Sequence, residues 1–81
     1  MLDLYQFENC PYSQKVRQKL SELEIDYILR NVSEEKSNRT RLLKISGQDA
    51  VPTLIDSVGN TMIAGDDAKI IAYLENEYLP K

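Results

Sequence analysis

"LDLYQFENCPYSQKVRQKLSELEIDYILRNV", residues Leu2 to Val32, changes its hydrophobic rhythm twice. Leu2 to Phe7 alternates and runs into a turn ahead of Pro11, the pattern of a strand. From about Pro11 to Glu24, Val16, Leu20 and Leu23 recur at helical spacing, while Lys15, Arg17, Lys19, Glu22 and Glu24 mostly lie elsewhere around the axis. Pro11 suits the first helical turn, where its missing N–H would be unpaired anyway. Asp26 to Val32 is then short and rich in Tyr, Ile, Leu and Val, a second strand. Strand, helix and strand in this order predict a right-handed parallel crossover.

Ser33 to Ser46 is polar at first, then helical through Leu42, Leu43 and Ile45, with Gly47 where a C-cap would stand. Pro52 to Asp56 and Thr61 to Ala64 read as two short strands around a turn containing Gly59 and Asn60, an antiparallel hairpin. Gly65 breaks the second of them. Asp66 is a good N-cap for a last helix, whose buried stripe is Ile70, Ile71, Leu74 and Tyr78. The order β-α-β-α-β-β-α predicts an α/β fold: one mixed four-stranded sheet with helices on both faces, the first and third helices sharing a face. This is the architecture of the thioredoxin fold.

The 81 residues suit one domain, residues 1–81, with a single core. Hydrophobic residues at 42% and charged residues at 28% are ordinary for a soluble chain, and no apolar run reaches bilayer length, so no membrane partner is expected. The net charge is −3 with basic residues dispersed among acids, which argues against a nucleic-acid partner. A single cysteine, Cys10, leaves the fold to hold by packing alone, and a reducing, cytoplasmic location is expected. The absence of histidine removes the commonest general base and the commonest metal ligand together. Zinc, phosphate-loop and Ser-His-Asp chemistries lack their residues.

Three features carry chemistry. Cys10 is predicted just past the carboxyl end of the first strand, at the N-terminus of the first helix, where reactive groups collect in such sheets. Unpaired N–H groups and the helix dipole favour thiolate over thiol there, and the Ser13 hydroxyl lies within reach of the same sulfur. A buried lone cysteine acting as an inert small hydrophobe is the plain alternative. Glu8, two residues before Cys10, opposes activation if it points inward. Val51-Pro52 is the second feature. A residue before proline is held extended, so Val51 offers its backbone to an extended peptide, unless Pro52 simply opens an edge strand. Prolines in such tight turns are often cis. Gly65-Asp66-Asp67 is the third. Helix N–H groups bind a carboxylate and the two Asp side chains an ammonium, although capping alone explains Asp66 fully and Asp67 in part. Together the three describe a site for a short peptide thiol.

"CPYS", "VP" and "GDD", at these separations, resemble the glutaredoxins and the N-terminal, glutathione-binding domain of glutathione transferases. The resemblance covers essentially the whole chain. "LLKISGQDAVPTLID" is similar to the glutaredoxin segment from the second helix to the third strand. "CPYSQKVRQKLSELEIDYILRNV" and "DDAKIIAYLENEYLP" are as similar to the transferase domain. The transferases' all-helical second domain has no counterpart in these residues, so a free-standing glutaredoxin-like protein is expected. The resemblance implies that Cys10 is the nucleophile and that Tyr12 shapes the glutathione sulfur groove. It implies that Val51 pairs its backbone with the cysteinyl part of glutathione and that Pro52 is the cis-proline. Asp66 and Asp67 then bind the γ-glutamyl end, and Arg39 falls near the position that contacts the glycine carboxylate. The chain departs from glutaredoxins in carrying Phe7-Glu8-Asn9 where a lysine is common, Asp49 where a basic residue is common, and Ala50 for threonine. Lys15, Arg17, Arg39 and Arg41 are the nearby cations that offset the lost charge.

The resemblance therefore implies a monothiol glutathione-dependent oxidoreductase that removes glutathione from mixed disulfides. Its partners are glutathione and glutathionylated or disulfide-bearing proteins, and a monomer is expected. No metal ligands are assigned. A carrier that bridges a [2Fe–2S] cluster between two subunits is the weaker reading, because Pro11 stands where that group has glycine. A transferase-like interaction module without redox chemistry is a further alternative.

Overall fold

The computed structural model describes residues 1–78; the last three residues of the expected domain, 79–81, which include the end of the DDAKIIAYLENEYLP stretch, lie outside them. The elements are β1 (Leu2–Gln6), α1 (Pro11–Glu22), β2 (Ile28–Asn31), α2 (Thr40–Ser46), β3 (Thr53–Asp56), β4 (Thr61–Ala64) and α3 (Asp67–Glu77), with a single 3-10 turn at Lys36–Asn38 ahead of α2. The strands lie in the order β2-β1-β3-β4. β1 and β2 are parallel, whereas β1 with β3 and β3 with β4 are antiparallel. This is the mixed sheet of the thioredoxin-like α/β fold.

Several elements are trimmed relative to the sequence pattern. β2 begins at Ile28 and β3 at Thr53. Pro52 stays outside its strand because it has no N–H for the ladder. α1 stops at Glu22 because Glu24 turns left-handed, with φ 54°, and the N–H of Ile25 reaches back to the Leu20 carbonyl at 2.9 Å. α2 ends at Gly47 with φ 75°, a conformation that costs a glycine little. Asp66 caps α3, its Oδ1 accepting the Lys69 N–H at 3.0 Å.

The main core joins Leu2 and Leu4 of β1, Leu54 of β3, Val16 and Leu20 of α1, and Ile70 and Leu74 of α3. Each buried Leu or Ile contributes roughly 1.5–3 kcal/mol relative to an exposed one. α1 and α3 therefore share one face, and at its surface Lys19 Nζ bridges them, 3.1 Å from both Glu22 and Glu75. Ile71 and Tyr78 of the expected stripe are only half-buried. On the opposite face, Leu42 of α2 is buried and the Arg41 guanidinium lies over the Tyr5 ring, 5.7 Å from its centre. Covering both faces explains why burial along β1 does not follow the alternation of its sequence: Leu4, Tyr5 and Gln6 are all buried. Among the described residues no helix is long and apolar enough to cross a membrane.

At the end of the sheet where β1 starts, Asp56 is 2% exposed, yet its carboxylate is fully served. Oδ1 accepts the N–H groups of Val58 and Gly59 at 3.1 and 3.2 Å. Oδ2 accepts the Tyr73 and Tyr78 hydroxyls, both at 2.7 Å. This cluster pins the β3–β4 turn to α3. Burial pushes the Asp56 carboxyl up, but the Tyr78 and Tyr73 hydroxyls and the Gly59 and Val58 N–H groups more than offset it and hold it below its ordinary value.

Candidate functional site

The strand registers decide which loops meet. Gln6 pairs with Asn31, Tyr5 with Thr53 and Thr53 with Ala64. The carboxyl ends of β1, β2 and β4 and the amino end of β3 therefore share one sheet edge. Cys10 follows β1, Val51 and Pro52 precede β3, and Gly65, Asp66 and Asp67 follow β4, so all three sequence features open onto that edge.

Cys10 is the N-cap of α1, with extended backbone at φ −75° and ψ 115°. Its Sγ accepts the backbone N–H of Ser13 at 3.5 Å, the part an Asp or Ser oxygen plays in an ordinary cap. The sequence offers the sulfur two sources of support, the helix N–H groups and the Ser13 hydroxyl. The structure assigns it to the N–H, and the hydroxyl, fully buried, has no partner among the described residues. Pro11 occupies the first position of the helix and Tyr12, 56% exposed, the next. The Lys15 ammonium lies 5.9 Å from the Tyr12 ring centre. Cys10 itself is 4% exposed, so a disulfide must dock closely against this edge to meet the sulfur.

The turn before Cys10 is held from α1. Arg17 donates to the Gln6 side chain and, through Nη2, to the Glu8 carbonyl at 3.2 Å. The Cys10 N–H closes the turn on the Phe7 carbonyl at 3.2 Å. The Glu8 side chain is 81% exposed and lies 3.8 Å from Arg17 Nη2. Its carboxylate therefore faces water and a cation.

Arg39, 8% exposed, links this turn to the proline loop. Its guanidinium lies over the Phe7 ring at 5.3 Å. Nε donates to the Ser33 carbonyl at 2.8 Å, Nη1 to the Asp49 carbonyl at 2.9 Å and Nη2 to the Glu34 carbonyl at 3.1 Å. A guanidinium has five N–H groups, and with three engaged here two are left for the predicted contact with a ligand carboxylate. Sequence reasoning did not foresee this clamp, because main-chain carbonyls carry no residue signature.

The Val51–Pro52 bond is cis. Around it the backbone is tied down. The Asp49 carbonyl takes Arg39, the Ala50 N–H and carbonyl take the Gln48 and Thr53 side chains, and the Pro52 carbonyl accepts the Gly65 N–H at 2.8 Å. Among the described residues, no hydrogen bond engages the N–H or C=O of Val51. Gly65, with φ 69°, sits so close that a Cβ would stand 2.7 Å from the Ala50 Cβ. Asp66 is exposed and Asp67 half-buried in the first turn of α3, so the pair stands beside the proline loop. Gln48 was missed by sequence reasoning; a polar residue in a loop gives no signal of its own.

The donors here do not complete a metal centre. Cys10 supplies one sulfur, and among the described residues no group of three or more His, Cys, Asp or Glu could hold a metal ion.

Residues 4–81 match the family described as glutathione S-transferase, N-terminal domain. A curated relative, an uncharacterized glutaredoxin-like 8.6 kDa protein in the rubredoxin operon of Clostridium pasteurianum, is 28% identical over 75 residues, covering 93% of this chain and 99% of its own. Glutathione transferase E6 from Drosophila melanogaster superposes with a TM-score of 0.82 at 30% identity, over 100% of this chain and 36% of the transferase. A glutathione transferase homologue from Drosophila mojavensis, solved with bound glutathione, superposes with a TM-score of 0.80 at 30% identity, over 95% of this chain and 35% of the homologue. The chain thus spans little more than a third of these two transferases.

Proposed function

The chain belongs to the glutathione S-transferase N-terminal domain family, and from that footing we propose that it is a glutathione-dependent thiol–disulfide oxidoreductase that works with one cysteine. The observation that carries the reading is the meeting, at one sheet edge, of a helix-capping thiol and an unpaired backbone N–H and C=O. Cys10 Sγ takes the Ser13 N–H, while Val51 beside the cis bond stands free among the described residues.

A glutathionylated protein docks with its glutathione moiety extended along Val51, whose N–H and C=O pair with the cysteinyl unit in strand-addition fashion. Asp66 and Asp67, with the α3 N-terminus, take the γ-glutamyl ammonium and carboxylate. Tyr12 flanks the sulfur, and the glycyl carboxylate lies toward Arg39. The Cys10 thiolate attacks the glutathione sulfur. A Cys10–glutathione disulfide forms, and the protein sulfur leaves as a thiolate that solvent protonates. A second glutathione thiolate then attacks the glutathionyl sulfur, forming oxidised glutathione and releasing the Cys10 thiolate. Electrons balance: one disulfide is reduced and one is formed. The external glutathione resolves the intermediate, so Ser13 need not be a second cysteine. Exchange is fastest when the attacking thiol combines thiolate with basicity, so extreme activation is not required.

The test is turnover of a glutathionylated peptide with glutathione as reductant. Cys10→Ser is expected to abolish it; full turnover by that variant overturns the reading. The family match favours a second reading, glutathione conjugation to an electrophile. Product formation from a chlorodinitrobenzene probe, with no peptide deglutathionylation, would decide for that reading.

A further inference from the structure

We propose that Gln48 is a positioning residue for glutathione, its carboxamide fixing the Ala50 peptide so that the adjoining Val51 N–H and C=O are presented to the ligand. The inference rests on the glutathione reading above and names a residue that reading does not use.

Three hydrogen bonds form a closed ring through the N–H and carbonyl of Ala50, which belong to the peptide groups on either side of its Cα. Gln48 Oε1 accepts the Ala50 N–H at 2.6 Å. Thr53 Oγ1 donates to the Ala50 carbonyl at 2.7 Å. Gln48 Nε2 donates to that same Thr53 oxygen at 3.1 Å. The last bond sets the direction of the ring. Because the Thr53 oxygen receives a proton from Gln48, its own proton is free to point at Ala50. The second Nε2 proton goes to Ser46 Oγ at 2.8 Å, and Ser46 in turn donates to the Leu42 carbonyl at 2.7 Å. Thr53 is fully buried and opens β3, and Ser46 closes α2. The ring thus fastens the proline loop to two rigid elements.

Only a carboxamide serves here. The position needs an acceptor for Ala50 and donors for two hydroxyl oxygens at once. A Glu carboxylate keeps the acceptor but faces both hydroxyl oxygens with no proton to give. A Leu keeps the bulk and loses every bond. With either residue the ring opens and Thr53 loses the donor that directs its proton to the Ala50 carbonyl, so the Ala50–Val51 peptide, which carries that carbonyl and the Val51 N–H, is held less firmly. A free backbone edge that wanders must be ordered at the moment of binding, which weakens the ligand without touching the sulfur.

The experiment is calorimetric titration with S-methylglutathione, a thioether that cannot exchange disulfides. It is run on wild type, Gln48→Leu, Gln48→Glu, Thr53→Val and Thr53→Ser. The first three variants are expected to bind about tenfold more weakly, the loss of roughly one organised hydrogen bond, while Thr53→Ser stays within about twofold of wild type. Iodoacetamide alkylation of Cys10 without ligand is expected to be unchanged throughout. In turnover, KM for the glutathionylated peptide rises while kcat holds. Wild-type affinity in Gln48→Leu overturns the inference, as does weakening matched by an equal change in Cys10 alkylation. If Gln48→Leu does not fold, the Thr53→Val and Thr53→Ser pair decides by the same criteria. A wild type that ignores S-methylglutathione overturns the underlying glutathione reading, an outcome distinct from the others.

Discussion

The Ser13 backbone N–H points at Cys10 Sγ from 3.5 Å, while the fully buried Ser13 hydroxyl has no partner among the described residues. A residue change that keeps the N–H and deletes the hydroxyl separates the two groups. Ser13→Ala is expected to hold deglutathionylation within about threefold of wild type and to raise unfolding free energy by about 1 kcal/mol, because an unsatisfied buried hydroxyl is removed. Denaturant melts and the peptide assay read the two effects. A loss of activity a hundredfold or greater would mean that the hydroxyl turns onto the sulfur during the reaction.

Glu8 raised the opposite concern, a carboxylate two residues from the thiol. Its side chain is 81% exposed and stands 3.8 Å from Arg17 Nη2, so solvent and a cation screen it from the sulfur. Glu8→Gln is expected to change the Cys10 alkylation rate at neutral pH by less than about twofold, with little dependence on added salt. A tenfold acceleration would show the carboxylate turned inward in solution.

These two cases mark what was legible in the sequence. The fold could be read because its signals are local: Val16 and Leu20 at helical spacing, Gly47 and Asp66 at helix ends, the alternation in β1 and the hairpin around Gly59 and Asn60. The place of Cys10 followed from the strand–helix junction. Which group of Ser13 meets the sulfur did not, because residue identity does not say whether the main chain or side chain donates. Arg39 was recognisable as a cation near the site, but its bonds go to the Ser33, Glu34 and Asp49 carbonyls, which any residue would offer. The Asp56–Tyr78 bond joins residues far apart in sequence, and only the packed sheet brings them together.

Gly47 and Gly65 offer a matched pair. Both are left-handed, with φ 75° and 69°, but a Cβ on Gly47 meets nothing within 4 Å while one on Gly65 stands 2.7 Å from the Ala50 Cβ. Gly47→Ala is expected to cost about 1 kcal/mol of stability, the left-handed penalty alone, and to leave S-methylglutathione affinity intact. Gly65→Ala is expected to cost more than that and to lower affinity, because the clash pushes the proline loop away from β4. Melts and titrations of both variants check this. Equal losses of affinity in the two would mean that the Gly65–Ala50 approach is irrelevant to the site.

At the far end of the sheet, Tyr78 donates to Asp56 Oδ2 at 2.7 Å, and that bond, followed by burial, pushes the Tyr78 hydroxyl up to about 12. An unfolded tyrosine ionises near pH 10. Between roughly pH 10 and 12 the unfolded chain has therefore lost a proton that the folded chain keeps, so stability must fall as pH rises through this window. Asp56 works in the other direction. Its carboxyl is held below the ordinary value, so its contribution is present above about pH 4 and is lost as acid protonates the folded carboxylate. Tyr73, raised by burial and by Asp56, adds to the alkaline loss. Tyr78→Phe is expected to be less stable than wild type at pH 7 by about 2 kcal/mol, the worth of one hydrogen bond to a charged group, and to lose less between pH 10 and 12. Asp56→Asn is expected to flatten the acid limb and weaken the alkaline one, because both tyrosines lose the anion that restrains them. Urea midpoints measured from pH 3 to 12 test the coupling. An alkaline limb that is the same in wild type and Tyr78→Phe would exclude Tyr78 as its source.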